Sequence, residues 1–233
     1  DENYRTLTER LESKGLSKGI AVLLYGAPGT GKTESVMQWA RQSGRDIVHV
    51  DLSASRSMWY GESEKIVKDI FTRYRQQCKR SKIKPILLFN EADGLFSKRK
   101  DMSRGSSVDQ TENTIQNILL EEMEKLDGIL IATTNLEENL DKAFERRFLF
   151  KIRLDKPGVE AKKNIWQDKL PILSADQAHK LASEFDFSGG EIDNIVRKTT
   201  MQEVLEGGVP TMESIVKLCS QEKVCTKNNR IGF

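Results

Sequence analysis

The chain has 233 residues, of which 37% are hydrophobic and 31% charged, and its formal net charge is +2. This length accommodates one good-sized core or a core domain with a small satellite, and the near-neutral charge argues against a dedicated nucleic-acid binder. No apolar run approaches the length that crosses a bilayer, and the three cysteines and two histidines lack zinc-site spacing, so we expect no membrane insertion and free thiols in a reducing cytoplasm.

The first two thirds of the chain alternate short apolar runs with longer helical stretches. Residues 5–14 predict a short amphipathic helix. Strands are predicted at Ile20–Tyr25, Ile47–Asp51, Ile86–Asn90, Ile129–Thr134 and Phe148–Leu154, and the main helices at Glu34–Gln42, Ser63–Lys82 and Val108–Leu126. Short, strongly apolar strands alternating with long helices predict a parallel α/β sheet with helices on both faces.

A glycine-rich loop, Gly26–Thr33, joins the first strand to the helix that follows it. Its residues fit the spacing G-x-x-x-x-G-K-T of a phosphate-binding loop, in which backbone N–H groups and a helix N-terminus face the phosphates. Lys32 reaches the β- and γ-phosphates, and the Thr33 hydroxyl is a ligand for Mg²⁺. The sequence therefore predicts nucleoside triphosphate binding, with contacts from Gly26, Pro28, Gly29, Thr30, Gly31, Lys32, Thr33 and Glu34.

Two further strands end in polar residues that suit hydrolysis. The run Ile86–Asn90 leads into Glu91 and Asp93, and a carboxylate at this place polarises the attacking water. We interpret Glu91 as the general base and keep Asp93 as the alternative. Asn135 follows another apolar strand; its amide orients the water or binds the γ-phosphate, although an asparagine at a strand end is more often a turn former.

Two further features each leave two interpretations open. Arg146 and Arg147 precede the last strand, where they form a solvated edge or reach the γ-phosphate of a neighbouring subunit. Trp59, Tyr60 and Gly61 precede a helix, where the aromatic rings belong to the core or to an exposed gripping loop.

The pattern changes after Asp155, because only helical stretches follow, near 159–170, 175–185, 189–205 and 211–222. Two of them open with capping boxes, Ser174-x-x-Gln177 and Ser188-x-x-Glu191. We therefore predict a nucleotide-binding domain over 1–155, a small all-helical domain over 156–223 and a disordered tail over 224–233.

From about Leu7 to about Val204, the order and spacing of these motifs resemble the AAA ATPases within the AAA+ group. The resemblance implies a P-loop fold with a five-stranded parallel sheet and a helical lid after 155. It also implies roles for the motifs: Walker A at Gly26–Thr33, Walker B at Ile86–Glu91, sensor 1 at Asn135, paired arginine fingers at Arg146 and Arg147, and a substrate pore loop at Trp59, Tyr60 and Gly61.

The resemblance further implies ATP and Mg²⁺ as ligands, a hexameric homo-oligomeric ring with nucleotide at its subunit interfaces, and remodelling or threading of a protein substrate. Because the chain starts at Asp1 without a methionine, we expect it to be the C-terminal ATPase module of a longer, bacterial-type protein. Two alternatives stay open: a nucleotide-gated scaffold with impaired hydrolysis, and a DNA-associated loader or helper, which the near-neutral charge disfavours.

Two departures from the family pattern stand out. Walker B usually ends in Asp-Glu, whereas this chain has Asn90-Glu91, which removes a negative charge beside the metal. We therefore predict weaker Mg²⁺ affinity, with hydrolysis retained through Glu91 and with Asn90 acting on the metal through a water. A sensor 2 arginine is absent at Ser188–Glu191, as is common in the AAA clade, and Arg197 is not assigned that role. By the resemblance, the basic segment 98–107 corresponds to a second pore-facing loop, where it either contacts substrate or is simply exposed to solvent.

Overall fold

The structure is a computed structural model and describes residues 2–15, 18–51, 59–96, 107–135 and 140–225. The strands are β1 (Ile20–Tyr25), β2 (Ile47–Asp51), β3 (Ile86–Asn90), β4 (Ile129–Thr134) and β5 (Phe150–Arg153). The helices are α1 (Glu2–Ser13), α2 (Lys32–Ser43), α3 (Trp59–Arg80), α4 (Asp93–Phe96), α5 (Ser107–Glu124), α6 (Lys142–Glu145), α7 (Val159–Lys169), α8 (Ala175–Glu184), α9 (Gly189–Glu206) and α10 (Met212–Cys225).

The strands form one five-stranded sheet in the order β2-β3-β4-β1-β5. Every neighbouring pair is parallel, with Tyr25 opposite Thr134 and Asp51 opposite Asn90 in register. The predicted parallel α/β fold is confirmed. In a parallel sheet all strands end at the same edge, and polar residues that follow different strands are therefore brought together there.

Both faces of the sheet are covered, which explains why its central strands are continuous apolar runs. On one face Leu87, Phe89 and Leu130 pack into a core with side chains of α3 and α5. On the other face Leu88 and Ile131 pack with side chains of α2. Because alternate residues of one strand face opposite sides, burial of both faces requires apolar residues throughout.

The chain divides into two compact units. The first comprises Asp1–Gly26 with Lys32–Leu154, and the second comprises Ala27–Gly31 with Asp155–Phe233. The second unit is built on helices around Trp166, which is fully buried; truncating such a residue to alanine typically costs about 3–5 kcal/mol. Within this unit the Gly190 N–H donates to the Gly29 carbonyl oxygen at 3.0 Å.

Both predicted capping boxes are present in the second unit. The Ser174 hydroxyl accepts from the Gln177 N–H while the Gln177 side chain accepts from the Ser174 N–H, and Ser188 and Glu191 repeat the exchange at the start of α9. These bonds satisfy N–H groups that the first turn of a helix otherwise leaves unpaired.

Among the helices of the described residues, none has both the length and the apolar character that crossing a membrane requires.

Candidate active site

The first part of the site is the loop entrance at Gly26, directly after β1. Gly26 has φ of 141°, and a Cβ placed on it would lie 2.2 Å from the Leu154 carbonyl oxygen, so only glycine fits. Lys32, 8% exposed, opens α2, and its Nζ donates to the Gly26 carbonyl oxygen at 2.8 Å. The ammonium group is therefore held at the end of β1.

The residues between Gly26 and Lys32 have the local geometry of a tight turn. Gly29 and Gly31 have φ of 75° and 87°, the left-handed region that glycine adopts without strain. The Thr30 hydroxyl donates to the Ala27 carbonyl oxygen at 2.9 Å, and Pro28 is exposed. Glu34 lies in the first turn of α2, where its carboxylate accepts from the Gln38 side chain at 3.5 Å.

Asn90, the last residue of β3, connects this loop to the neighbouring strand. Its Oδ1 accepts from the Thr33 hydroxyl at 2.7 Å and from the Thr133 hydroxyl at 2.9 Å. Because the Thr33 hydroxyl donates its hydrogen bond to Asn90, the lone pairs of the Thr33 oxygen stay available to a ligand. One amide oxygen thus ties the start of α2 to the end of β4.

Glu91 follows Asn90 in an unusual backbone conformation. It is the one non-glycine residue with positive φ, 53°, in the described part of the chain, and such a conformation is costly for glutamate. Thr133 holds the turn from both sides, because its Oγ1 accepts from the Glu91 N–H at 3.0 Å and its carbonyl oxygen accepts from the Ala92 N–H at 2.9 Å. The Glu91 side chain is exposed at the sheet edge.

Asn135 is held by Asp93, the alternative that the sequence left open for Glu91. Asp93 Oδ1 accepts from the Asn135 N–H at 2.9 Å and from the Thr134 hydroxyl at 2.5 Å, and its Oδ2 accepts from Asn135 Nδ2 at 3.3 Å. The Asp93 carboxylate is therefore engaged with the exit of β4, a contact that the sequence reasoning missed.

The arginine pair is anchored by aromatic packing on both sides. Phe144 and Phe148 are buried, and their rings lie 4.7 Å and 5.4 Å from the ring of Phe96, centroid to centroid. Phe96 ends α4, the short helix that follows Glu91, so the arginine segment is fixed relative to the strand exits. The predicted strand Phe148–Leu154 is observed only as Phe150–Arg153 because Phe148 packs into this aromatic cluster.

The two arginines differ in their surroundings. The Arg146 side chain is exposed and makes no hydrogen bond or ion pair with the described residues. Arg147 instead donates from Nη1 to the Ala143 carbonyl oxygen at 3.2 Å and from Nη2 to the carboxylate of Glu124, the last residue of α5. Glu124 has no signal in the sequence that marks it as a partner of Arg147.

The oxygen atoms at this edge suit a hard cation that keeps most of its water. Thr33 and Asn90 offer neutral oxygens, and Glu91, the next residue along the chain, carries a carboxylate. No group of three histidine, cysteine or acidic residues that could hold a metal occurs in the described ranges. Mg²⁺ is commonly held by few protein oxygens together with waters and substrate phosphates, and this donor set fits that pattern.

Other predicted residues lie at the margin of what the structure describes. Trp59, Tyr60 and Gly61 form the first turn of α3, which begins one turn earlier than predicted, and their role as a pore loop stays a prediction. The basic segment falls outside the described residues except for Ser107. The predicted tail also lies outside them beyond Cys225.

Comparison with known proteins gives consistent matches. The family described as "ATPase family associated with various cellular activities (AAA)" matches residues 22–156. Human fidgetin-like protein 1 is 30% identical over 81% of this chain and 28% of its own length. The proteasome-activating nucleotidase of Sulfurisphaera tokodaii is 29% identical over 95% of this chain and 57% of its own length.

The fold has a counterpart among solved structures. The crystal structure of the FIGL-1 AAA domain in complex with ADP superimposes with a TM-score of 0.68, covering 86% of this chain and 71% of that one at 21% identity. This chain spans about a quarter of the human relative and just over half of the archaeal one.

Proposed function

The chain belongs to the AAA family of ATPases, and from this membership we propose that it hydrolyses ATP with Mg²⁺ at the edge where β1, β3 and β4 end. The observation that carries the proposal is the continuous set of hydrogen bonds from Thr33 through Asn90 and Thr133 to the Glu91 backbone. These bonds join a phosphate-loop hydroxyl to the backbone of Glu91, the proposed base.

Binding of the triphosphate is assigned to the phosphate loop. Lys32 exchanges its bond to the Gly26 carbonyl oxygen for bonds to the β- and γ-phosphates, which are stronger because both partners are charged. The Thr33 hydroxyl oxygen would hold Mg²⁺, and the Asn90 oxygen would do so through a water that replaces one of its two threonine hydroxyl donors. When bound with the nucleotide, Mg²⁺ offsets the negative charge that the phosphates carry.

The chemical step is assigned to Glu91. Its carboxylate takes a proton from the attacking water as the new bond to the γ-phosphorus forms and the bond to the leaving ADP oxygen breaks. Asn135, held at the end of β4, orients that water. The hydrogen bond from the Glu91 N–H to the Thr133 hydroxyl holds the backbone turn that carries the proposed base. This matters because misplacement of a catalytic group by an ångström can lower the rate about a hundredfold.

A second subunit completes the site in this proposal. Arg146 is exposed and has no partner among the described residues of its own chain, so it is free to reach a γ-phosphate bound to a neighbour. Arginine residues supplied in this way raise phosphoryl-transfer rates by about 10³–10⁵. We propose a homo-oligomeric ring, hexameric as in related ATPases.

The work done by hydrolysis is proposed to be the remodelling or threading of a protein. The proteasome-activating nucleotidase, a relative, is by its name a nucleotidase that activates a protein-degrading complex. Trp59, Tyr60 and Gly61 supply the proposed grip on the substrate. The near-neutral charge of +2 gives no support to a nucleic-acid substrate.

Replacement of Glu91 by glutamine tests the proposed chemistry. Glutamine keeps the size of the side chain but cannot accept the proton, so we expect kcat to fall about 10²–10⁴-fold while ATP still binds with nearly the same affinity. Turnover is measured by phosphate release and binding with a fluorescent nucleotide. Glu121→Gln is the matched control, since Glu121 is exposed on α5, where it pairs with Lys125.

The scaffold alternative gives a different outcome in the same experiment. A protein that only binds ATP and assembles would show equally slow phosphate release in the wild type, Glu91→Gln and Glu121→Gln. This alternative draws its support from Asn90, which removes a charge beside the metal. Equal rates in all three proteins would therefore overturn the proposed hydrolysis and favour the scaffold.

A further inference from the structure

We propose that Asp93 is a positioning residue for hydrolysis: it fixes which atom of the Asn135 amide faces the attacking water. The inference rests on the proposed roles of Glu91 and Asn135. From the sequence, Asp93 was only the alternative to Glu91 as general base, and the inference gives Asp93 a different role.

The chemistry of the contact determines the orientation of the amide. An ionised carboxylate only accepts hydrogen bonds, and Asp93 Oδ2 lies 3.3 Å from the Asn135 side-chain nitrogen. A flipped amide would set the Asn135 oxygen against the Asp93 oxygen, two acceptors facing each other. The Asn135 N–H, which donates to Asp93 Oδ1 at 2.9 Å, also holds the main chain of Asn135 against the same carboxylate.

The consequence is that Asn135 presents its oxygen away from Asp93. This oxygen accepts no hydrogen bond from a described residue, and the side chain is partly exposed. A water there donates one proton to the Asn135 oxygen and the other to Glu91. Both lone pairs of this water stay free, and one of them would attack the phosphorus in line with the leaving oxygen.

The surroundings of Asp93 keep its carboxylate in place. Asp93 is the first residue of α4, and Phe96 at the other end of that helix is buried against Phe144 and Phe148. The Thr134 hydroxyl donates to the Asp93 carboxylate at 2.5 Å and adds a third bond. The carboxylate is therefore anchored from its own helix and from β4, as a positioning group must be.

A double-mutant cycle with Asp93→Asn and Asn135→Ala tests the proposal. In Asp93→Asn the new amide can turn its own Nδ2 towards Asn135, so the Asn135 amide flips and offers a donor to the water. We expect kcat to fall about tenfold or more while KM for ATP changes less than about twofold. In the Asn135→Ala background, Asp93→Asn should cost almost nothing further, because Asp93 acts through Asn135.

The outcomes separate this inference from the proposed function. If Asn135→Ala leaves kcat unchanged, the proposed role of Asn135 is wrong and this inference is wrong with it. If Asn135→Ala lowers kcat but Asp93→Asn does not, only the positioning role is overturned. Equal costs of Asp93→Asn in both backgrounds would mean a general structural role, and this too would contradict the proposal.

Two further measurements keep the test decisive. Thr134→Val removes one bond that anchors Asp93 but leaves both bonds to Asn135, so kcat should fall by less than in Asp93→Asn; an equal loss would mean that the bonds to Asn135 do not determine the effect, and this contradicts the proposal. If Asp93→Asn does not fold, hydrogen exchange in the wild-type chain replaces it. One side-chain amide proton of Asn135 should then exchange more slowly than those of exposed asparagines, and equal, fast exchange would overturn the inference.

Discussion

Asn90 places a neutral amide oxygen at the point where two threonine hydroxyls converge. Both the Thr33 and the Thr133 hydroxyls donate to its Oδ1, so a residue at this position must accept two hydrogen bonds. A carboxylate does this equally well and adds a negative charge. The amide therefore preserves the connection between the phosphate loop and β4 while weakening the attraction for a cation.

Asn90→Asp should accordingly tighten Mg²⁺ binding. The aspartate keeps both hydroxyl contacts and adds one charge near the metal, and we expect the Mg²⁺ concentration at half-maximal nucleotide binding to fall about tenfold. The measurement is fluorescent-nucleotide binding titrated with Mg²⁺, which does not depend on turnover. Asn164→Asp, an exposed residue on α7, adds the same charge elsewhere as a control. An unchanged Mg²⁺ dependence in Asn90→Asp would show that the missing charge is irrelevant.

The position of a single residue in the fold was predictable from the sequence only where its neighbours along the chain define it, and the catalytic roles stay predictions. Gly26 and Lys32 lie within one continuous motif, and Glu91 lies at the end of a recognisable strand. The bond from the Asn135 N–H to Asp93 joins residues 42 positions apart, and the pair of Arg147 with Glu124 joins residues 23 apart. Such contacts depend on which strands become neighbours, and nothing local to either residue encodes them.

At the scale of elements, the prediction succeeded where one physical signal dominates. The strands β1, β2, β3 and β4 begin and end at the predicted residues, because each is a short, mainly apolar segment with clear breaks at its ends. The short helices α4 and α6 were not predicted, because a segment of four residues is too short to show the spacing of apolar residues that indicates a helix. Their formation instead follows from tertiary contacts, chiefly the packing of Phe96 on Phe144 and Phe148.

The helix α10 carries a titratable group that couples the stability of the second unit to pH. Cys219 is fully buried, and burial raises the pKa of its thiol to about 12. In the unfolded chain the thiol ionises near its ordinary value of about 8.5. Above that pH the unfolded state releases a proton that the folded state keeps, so stability falls as the pH rises from about 8.5 towards 12.

Cys219→Ala should remove part of this pH dependence. Although the cavity it creates lowers stability at every pH, the loss of unfolding free energy between pH 7.5 and 9.5 should be smaller than in the wild type. Urea unfolding at the two pH values under reducing conditions measures both losses. Ser220→Ala, on the exposed side of the same helix, should retain the full wild-type loss. The prediction is wrong if Cys219→Ala and the wild type lose equal stability.

At the scale of the whole molecule, the first unit brings together several groups that are far apart in sequence. The phosphate-loop residues Lys32 and Thr33, the proposed base Glu91 and the amide of Asn135 all lie at the carboxyl edge of one parallel sheet. Arg146 belongs to the same unit but has no partner among its described residues. The proposed ring would supply a partner for this guanidinium from a neighbouring copy.

Because their contacts differ, Arg146 and Arg147 are predicted to have different roles in the proposed ring. Arg147 is bound to Glu124 and to the Ala143 carbonyl oxygen of its own chain, so we expect it to hold the segment in place and Arg146 to be the arginine that reaches the neighbour. We expect Arg146→Ala to lower turnover about 10³-fold or more, with nucleotide affinity nearly unchanged. Arg147→Ala should differ from Arg146→Ala by lowering the thermal unfolding temperature, because it removes contacts within the chain.

Mixing two inactive variants tests whether Arg146 acts across subunits. In an assembly of Arg146→Ala with Lys32→Ala, some sites combine an intact phosphate loop from one chain with an intact arginine from the other, so turnover should reappear and rise with protein concentration. Lys32→Ala mixed with Glu91→Gln provides the control: both changes lie in the part of the site that one chain supplies, so every site stays defective and no turnover should return. Recovery in neither mixture would place Arg146 in the site of its own chain, because an arginine acting there cannot be supplied by a neighbour.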